Sequence, residues 1–354
     1  MTGKTRRPPR LFIPTAILLL LILAGCATKA SKPITKTGFA LDTACTISVY
    51  DKVPSGTIEK AFAVLNNVGY RMTIDAPKGE LINVNAAAAE HPVKVDPELF
   101  HVIQTALHFS RLTDGAFDLT IGPLTKLWGI GTGGKSVPPK AKIERALKEI
   151  NYRNVVLSSA DHTVFLKHRG MVIDLGAVAK GYAGDRVKSY LESAGVKHAI
   201  IDLGGNVVTI GPKPDGTPWR IGIQSPERSR GDYVGVLKVT NEAVVSSGQY
   251  ERFFDYKGKR YGHILSTTTG FPVDNGVSST TIVTSSSTDA DALSTSVFAL
   301  GVKRGMALIN SLTGVEGIIL TSNKQVYLSR GIATDFKLAD SSYTIAPQIS
   351  VPAS

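Results

Sequence analysis

Two side chains in the C-terminal third of the chain have the spacing of a cation site. Asp291 and Thr295 lie four residues apart in a segment whose apolar spacing predicts a helix over 287–300, so their oxygens should project from one helix face. A carboxylate and a hydroxyl are oxygen donors that Mg²⁺ accepts, together with phosphate oxygens and water. An acidic residue near a helix start also stabilises the helix dipole. Taken alone, the pair fits that structural role better.

A second candidate is a glycine-containing turn. The apolar stretch 171–174 predicts a buried strand that ends at Asp174, Gly176 interrupts it, and helical spacing begins at Val178. Such a turn offers free N–H groups and the positive end of a helix dipole to an anion. Lys180 would add a mobile positive charge, and Asp174 would either recruit a metal or bind a polar ligand. The same pattern also fits an ordinary structural turn, which is the commoner case.

Two further stretches combine aromatic, acidic and basic groups. Ala116-Phe117-Asp118 places a ring beside a carboxylate in a polar loop, and His263 follows a predicted hairpin. An imidazole has an unperturbed pKa of ~6.5, which suits a general base near neutral pH. A hydrogen-bonded histidine at a strand end is the structural alternative.

The elements that must position these groups follow no regular alternation. Apolar spacing predicts strands mostly next to strands, with helices inserted between them. The principal predictions are a first strand over 39–50, helices over 55–68, 140–150 and 182–191, a helix that starts after Asp96, and two consecutive helices over 287–300 and 302–311. This order is typical of an α+β fold with mixed, largely antiparallel sheets. No GxGxxG follows a strand in a βαβ unit and no GxxxxGK[ST] occurs, which excludes those two phosphate-binding designs.

The N-terminus has the pattern of an export signal. Four basic residues precede an apolar stretch over 11–23, which is too short for a comfortable membrane span. The stretch ends in Leu23-Ala24-Gly25-Cys26, which resembles the lipobox of bacterial lipoproteins and implies a lipid on Cys26. A plain signal peptide or a membrane anchor is the alternative. We predict a signal peptide over 1–25, a lipidated tether over 26–37, a domain or pair of lobes over 38–335, and a flexible tail over 336–354.

Charge and cysteine content agree with a location outside the cytoplasmic membrane, in the bacterial cell envelope. The formal net charge is +11, and residues 1–25 hold four Lys/Arg and no Asp/Glu. The excess of positive charge that remains without residues 1–25 favours binding to an anionic membrane surface or to a phosphorylated ligand. No run of Lys/Arg interleaved with aromatic residues occurs, so nucleic acid is not an expected partner. With a lipid on Cys26, Cys45 has no partner for an intramolecular disulfide.

Taken in order, these stretches resemble the FAD:protein FMN transferases, the ApbE-type lipoproteins. The resemblance runs from about Gly38 to Arg330. The motifs that carry it are Ala116-Phe117-Asp118 with Gly122-Pro123-Leu124 and Trp128-Gly129, residues 174–182, residues 201–206, residues 247–252, His263-Ile264-Leu265 with Thr269-Gly270-Phe271-Pro272, and Ala290-Asp291-Ala292-Leu293 with Thr295.

The resemblance implies an enzyme that binds FAD with Mg²⁺, cleaves the pyrophosphate, and joins FMN to a threonine of an acceptor redox flavoprotein with release of AMP. The residues it places around FAD are Leu41, Ala116, Phe117, Asp118, Asp174, Lys180, His263 and Ile264. Those it places around Mg²⁺ are Ala177, through its main-chain carbonyl, Asp291 and Thr295. His263 would help to deprotonate the acceptor hydroxyl, and Lys180 would face the pyrophosphate.

The chain departs from the family pattern at three places. Ser266-Thr267 replaces a frequent Asp-Pro, Gln249 replaces a frequent acidic residue, and Ile74-Asp75 stands where some relatives place a tyrosine against the flavin. Loss of that ring would weaken the retention of FAD. An FAD pyrophosphatase, which forms FMN and AMP without an acceptor, therefore stays an alternative, and so does a flavin-binding lipoprotein without turnover.

Overall fold

The computed structural model describes residues 2–3, 32–75, 78–229 and 231–349. Cys26, nearly all of the predicted signal peptide and half of the predicted tether lie outside this part. The helices are α1 (Thr57–Met72), α2 (Glu80–Ala86), α3 (Pro97–Leu112), α4 (Gly122–Trp128), α5 (Lys140–Lys148), α6 (Ala179–Ser193) and α7 (Ser287–Ser311). The strands are β1 (Ile34–Ala40), β2 (Thr43–Val49), β3 (Val93–Lys94), β4 (Val155–Ser158), β5 (Thr163–Leu166), β6 (Ala199–Leu203), β7 (Asn206–Ile210), β8 (Trp219–Gln224), β9 (Tyr233–Val239), β10 (Ala243–Gly248), β11 (Phe253–Tyr256), β12 (Lys259–Gly262), β13 (Val277–Thr284), β14 (Glu316–Thr321), β15 (Gln325–Leu328), β16 (Phe336–Leu338) and β17 (Thr344–Ile345).

A nine-stranded sheet organises the fold, in the order β1-β2-β6-β7-β10-β13-β14-β15-β17. Its pairs are antiparallel except β15 with β17, which is parallel. Two three-stranded sheets, β16-β9-β8 and β3-β5-β4, and the β11–β12 hairpin complete the strands. The predicted α+β class with largely antiparallel sheets is confirmed.

The two faces of the large sheet are covered differently. Val245 of β10 points into the core that the sheet shares with the helices, whereas its neighbour Val244 points into a second core with Trp219 and Phe336 of the small sheet. Alternate residues of a strand face opposite sides, so β10 is buried on both. The protein therefore has a helical layer, the large sheet, and the β16-β9-β8 sheet.

Helices α6 and α7 touch closely on the helical side. A Cβ on Gly181 would lie 2.2 Å from the main-chain oxygen of Ser287, so only glycine permits this approach. Asp185 of α6 accepts hydrogen bonds from the N–H groups of Ser287 and Thr288, at 2.8 Å each, and satisfies free donors at the start of α7. These contacts fix the position of α7 relative to α6. At Gly301 (φ 77°, ψ 177°) α7 departs from helical geometry, as two consecutive helices predict.

Two predicted strands are wrong. The segment 39–50 is the end of one strand and the whole of the next, because Leu41 and Asp42 adopt φ of 52° and 58° and close a β1–β2 hairpin without glycine. The segment 171–174 forms only an isolated bridge through Val172. The Asn85 side chain binds both the N–H (2.7 Å) and the carbonyl (3.0 Å) of Ile173, groups that a strand would use in a ladder.

Two predicted boundaries are also corrected. Strand β1 begins at Ile34, inside the range predicted as tether. In the range predicted as a flexible tail, β16 pairs with β9 and β17 pairs with β15, and Phe336 and Tyr343 are buried. Strand β16 pairs with β9, which is distant in sequence, so local polarity does not reveal it.

Candidate active site

One cleft gathers the residues that the sequence singles out. It has a volume of about 680 Å³ and lies among α1, the loop before α4, the starts of α6 and α7, and the segment after β12. The predicted residues that line it are Leu41, Ala116, Phe117, Asp118, Asp174, Ala177, Lys180, His263, Ile264, Asp291 and Thr295. They come from distant parts of the chain, and the fold brings them together. Their individual roles stay predictions.

Asp291 connects the two helices at the floor of the cleft. Its side chain is 3% exposed, and one carboxylate oxygen lies 3.3 Å from Nζ of Lys180, which is 25% exposed. The other oxygen accepts a hydrogen bond from the N–H of Gly181 at 2.9 Å. This buried carboxylate is thus paired with a cation and with a helix N-terminus, as burial of a charge requires.

The same contacts use two backbone donors of the predicted anion site at the start of α6. The N–H of Gly181 binds Asp291, and the N–H of Ala179 binds the carbonyl of Leu175 at 2.8 Å. The protein itself therefore uses these backbone donors. The side chain of Lys180, which lines the cleft, is a charged group at this end of α6 that would attract an anion.

Oxygen atoms beside Asp291 supply the donors that Mg²⁺ prefers. Thr295, one turn further along α7, has its hydroxyl 3.3 Å from that of Ser247, which lies 2.7 Å from the Ser294 hydroxyl. Within the described ranges no three His, Cys, Asp or Glu side chains form a cluster. A cation held by Asp291, Thr295 and the Ala177 carbonyl would have oxygen ligands throughout, a set that fits Mg²⁺ and its waters.

Asp174 forms part of the wall of the cleft. Its carboxylate accepts a hydrogen bond from the N–H of Gly176 at 2.8 Å. Burial raises its pKa, the hydrogen bonds from Gly176 and Thr125 lower it, and the negative charge of Asp75 raises it. A polar ligand that donates to Asp174 would relieve this unfavourable environment of the carboxylate.

Asp118 holds the shape of its loop. One carboxylate oxygen accepts from the N–H and the hydroxyl of Thr120, at 2.8 and 2.7 Å, and the other accepts from the N–H of Tyr152 at 2.9 Å. Burial raises the pKa of Asp118, against these hydrogen bonds. The residue positions the buried Phe117 and the half-buried Ala116 beside the cleft.

His263 is neutral at physiological pH. Its Nδ1 lies 3.2 Å from the carbonyl oxygen of Arg252, which can only accept, so the proton is on Nδ1 and Nε2 keeps its lone pair. Burial, followed by the positive charges of Arg252 and Lys180, lowers the pKa of His263 to about 4. The expectation of an unperturbed pKa is therefore wrong, because the folded chain surrounds the ring with protein and cations.

The lowered pKa of His263 should make the protein less stable in acid. The unfolded chain binds a proton near pH 6.5 and the folded one only near pH 4, so the unfolded state binds more protons between these values. Above pH 6.5 His263 is neutral in both states and does not destabilise the folded protein. As the pH drops to 4, we expect the free energy of unfolding to fall by roughly 2–3 kcal/mol. Urea denaturation of the wild type and His263→Gln measures it. The same pH dependence in both proteins would contradict the assignment.

Some residues of the cleft escape prediction from sequence. Tyr70 of α1 is 53% exposed and lines the cleft together with Ile74 and Asp75. An aromatic ring is therefore present in the cleft, although this chain has none at the position where some relatives place a tyrosine. Asn206 and Ser247 also line it. Asn206 and Ser247 lie within recognised motifs but have no local pattern that distinguishes them, and Tyr70 lies beyond the helix predicted over 55–68.

Two of the departures from the family pattern have local replacements. The hydroxyl of Ser266 accepts hydrogen bonds from the N–H groups of Thr268 (3.2 Å) and Thr269 (3.1 Å), a turn-closing pattern that Ser shares with Asp. The Gln249 amide donates to the carbonyl of Val273. The turn after His263 is therefore closed without Asp-Pro.

The chain is similar to known proteins over most of its length. The sequence model of the ApbE family matches residues 41–319. An FAD:protein FMN transferase of Klebsiella pneumoniae (strain 342) is 38% identical over 286 residues, 81% of this chain and 89% of that protein. Another, from Treponema pallidum (strain Nichols), is 33% identical over 349 residues, 93% and 96% of the two chains. The crystal structure of the ApbE protein from Thermotoga maritima has a TM-score of 0.80 at 33% identity, covering 86% of this chain and 99% of that one. The chain is a transferase of the ApbE family.

Proposed function

We propose that the protein is a Mg²⁺-dependent FAD:protein FMN transferase, which attaches FMN through a phosphoester to a threonine of an acceptor redox flavoprotein and releases AMP. The observation that supports it most is the meeting of Lys180, His263 and the Asp291–Thr295 pair in one cleft of about 680 Å³. A volume of several hundred Å³ is that of a ligand or cofactor site. We infer the substrate, FAD, from the names of the relatives.

The proposed reaction is a phosphoryl transfer. The acceptor hydroxyl oxygen bonds to the phosphorus of the FMN half of FAD, and the bond from that phosphorus to the bridging oxygen breaks. AMP leaves with the bridging oxygen, and the hydroxyl proton passes to a base. Such reactions depend on positioning and on the neutralisation of charge more than on covalent chemistry from the protein.

Lys180 would bind the pyrophosphate, because it is the cation that projects from the start of α6 into the cleft beside Asp291. Asp291, Thr295 and the Ala177 carbonyl would hold Mg²⁺, which supplies further charge neutralisation at the phosphates when bound. A charge-assisted hydrogen bond from lysine to phosphate is stronger than a neutral one.

His263 would accept the proton of the acceptor hydroxyl at Nε2. The ring is in the required neutral form at all pH values well above 4, since its pKa is lowered to about 4. The same shift makes it a weak base, so it suits an acceptor that gives up its proton late, as its oxygen bonds to phosphorus.

An acceptor-labelling experiment tests this function. The purified protein is incubated with FAD, MgCl₂ and an acceptor domain, and covalent flavin fluorescence is measured on the acceptor after denaturing electrophoresis. We expect a fluorescent acceptor with the target threonine and none after Thr→Val at that position. Absence of label with Mg²⁺, Mn²⁺ or Ca²⁺ would contradict the proposal.

A hydrolytic function is the second candidate, because Asp75 lies close enough to Asp174 to raise its pKa. An acidic side chain at this wall could favour the entry of water or a second cation over a stacked flavin. An FAD pyrophosphatase would form FMN and AMP at the same rate with and without acceptor. A flavin-binding lipoprotein would retain FAD and form neither product.

We also propose that Cys26 carries a lipid that anchors the domain outside the cytoplasmic membrane. The support is the Leu-Ala-Gly-Cys sequence after the apolar stretch. Metabolic labelling with a radioactive fatty acid should mark the wild type and not Cys26→Ser, and equal labelling of both would exclude this anchor.

A further inference from the structure

Asn206 is a buried polar residue without a hydrogen-bonding partner for its amide. It is 1% exposed, and among the described residues no atom accepts a hydrogen bond from Nδ2. Buried amide groups in native proteins are nearly always paired, because an unpaired donor forfeits the hydrogen bonds that it makes to water. An exception inside a cleft indicates a partner supplied by a ligand.

Asn206 lies on the face of the large sheet that is turned towards the helices. It is the first residue of β7 and lies opposite Val245 of β10, on the helix-facing side of the sheet. Two residues further on the same face, Val208 approaches Gly184 of α6, where an added Cβ would lie 3.0 Å from Val208 Cγ2. Asn206 and Lys180, the latter at the start of α6, line the same cleft.

The surrounding chemistry limits what the ligand group can be. Asn206 lines the same cleft as Lys180 and Asp291. An amide N–H₂ can only donate, so its partner must be an acceptor. Lys180, the cation at this end of α6, attracts anionic oxygens, and phosphate oxygens are acceptors that form strong charge-assisted hydrogen bonds.

We propose that Asn206 Nδ2 donates a hydrogen bond to a pyrophosphate oxygen of the bound dinucleotide. The inference rests on the proposed function for the identity of the ligand. In this role Asn206 binds phosphate together with Lys180. Because the amide of Asn206 carries no charge, it leaves the ion pair of Lys180 with Asp291 undisturbed. The ligand-free protein keeps the unpaired donor, and binding satisfies it.

This arrangement predicts opposite effects on stability and on binding. Asn206→Leu keeps the branching of the side chain and removes the unpaired amide, so the melting temperature of the ligand-free protein should stay the same or rise. The affinity for FAD and for ADP should fall roughly 10- to 100-fold. The affinity for riboflavin, which has no phosphate, should not change. A purely structural role would lower the melting temperature and weaken all ligands alike.

Binding is measured by calorimetry in EDTA without acceptor, so that no turnover occurs. Asn206→Asp, which replaces the donor by an acceptor, should weaken the binding of ADP at least as much as Asn206→Leu does. Asn67→Leu, an exposed asparagine of α1 outside the cleft lining, should leave ADP binding unchanged. Unchanged ADP affinity in both Asn206 variants would overturn the proposal. An equal loss of affinity for riboflavin and for ADP would also overturn it. Wild-type protein that binds FAD and ADP but never labels an acceptor would overturn the proposed function alone.

Discussion

Asp291→Asn should reduce the rate of FMN transfer at least ~100-fold, the usual effect of removing one group that stabilises transition-state charge. The carboxylate pairs with Lys180 at 3.3 Å and with the Gly181 N–H at 2.9 Å, and it is the charged donor of the predicted Mg²⁺ site. Asparagine keeps the shape of the side chain but not its charge. Lys180 therefore loses its buried anionic partner, and Mg²⁺ loses its anionic ligand. The initial rate of acceptor labelling across a Mg²⁺ titration measures the effect.

Asp289 provides a matched control for this substitution. It lies two residues earlier on α7 but lines a separate cavity of about 430 Å³ between α3 and α7. Asp289→Asn should transfer FMN at a rate within about twofold of the wild type, because this half-buried carboxylate lies outside the cleft. Equal losses in the two variants, or wild-type activity of Asp291→Asn at saturating Mg²⁺, would contradict the assignment.

Lys180→Ala should raise the KM for FAD roughly 10- to 100-fold, the range expected for one hydrogen bond to a charged phosphate. Its ammonium is the cation at the start of α6, and the nearby backbone N–H groups of Ala179 and Gly181 are used within the protein. Loss of its charge should also raise the pKa of His263, because that charge helps to lower it. Steady-state kinetics with varied FAD, repeated over pH, measures both effects.

Ala177→Ser separates side-chain from main-chain effects in this region. It preserves the carbonyl that the metal site would use, so the KM for FAD should change less than about threefold, as is usual for a small substitution outside the core. A wild-type KM in Lys180→Ala, or an equally large increase in Ala177→Ser, would exclude the proposed role of Lys180.

Local signals in the sequence predicted much of the fold. Asp96 caps α3, as expected, by accepting from the Glu98 N–H at 2.8 Å, and Cys45, Ile47 and Val49 share a buried face. Caps and apolar spacing depend on neighbouring residues, so they are visible without a structure. The hairpin at Leu41 was missed because its turn lacks glycine.

The candidate site was predicted in its residues but not in its contacts. Six ordered motifs contain all the predicted residues of the cleft except Leu41. No local pattern shows that Asp291 binds the N–H of Gly181, more than a hundred residues away in sequence. The same holds for His263, whose pKa depends on burial and on the charges of Arg252 and Lys180. Long-range packing decides such properties, so they require the fold.

The mass of the intact acceptor after incubation with FAD and Mg²⁺ tests the central claim most directly. The proposed transfer predicts a gain equal to FMN less one water, lost when the target threonine is replaced by valine, with one AMP released for each acceptor modified. FAD converted to FMN and AMP while the acceptor keeps its original mass would contradict the account.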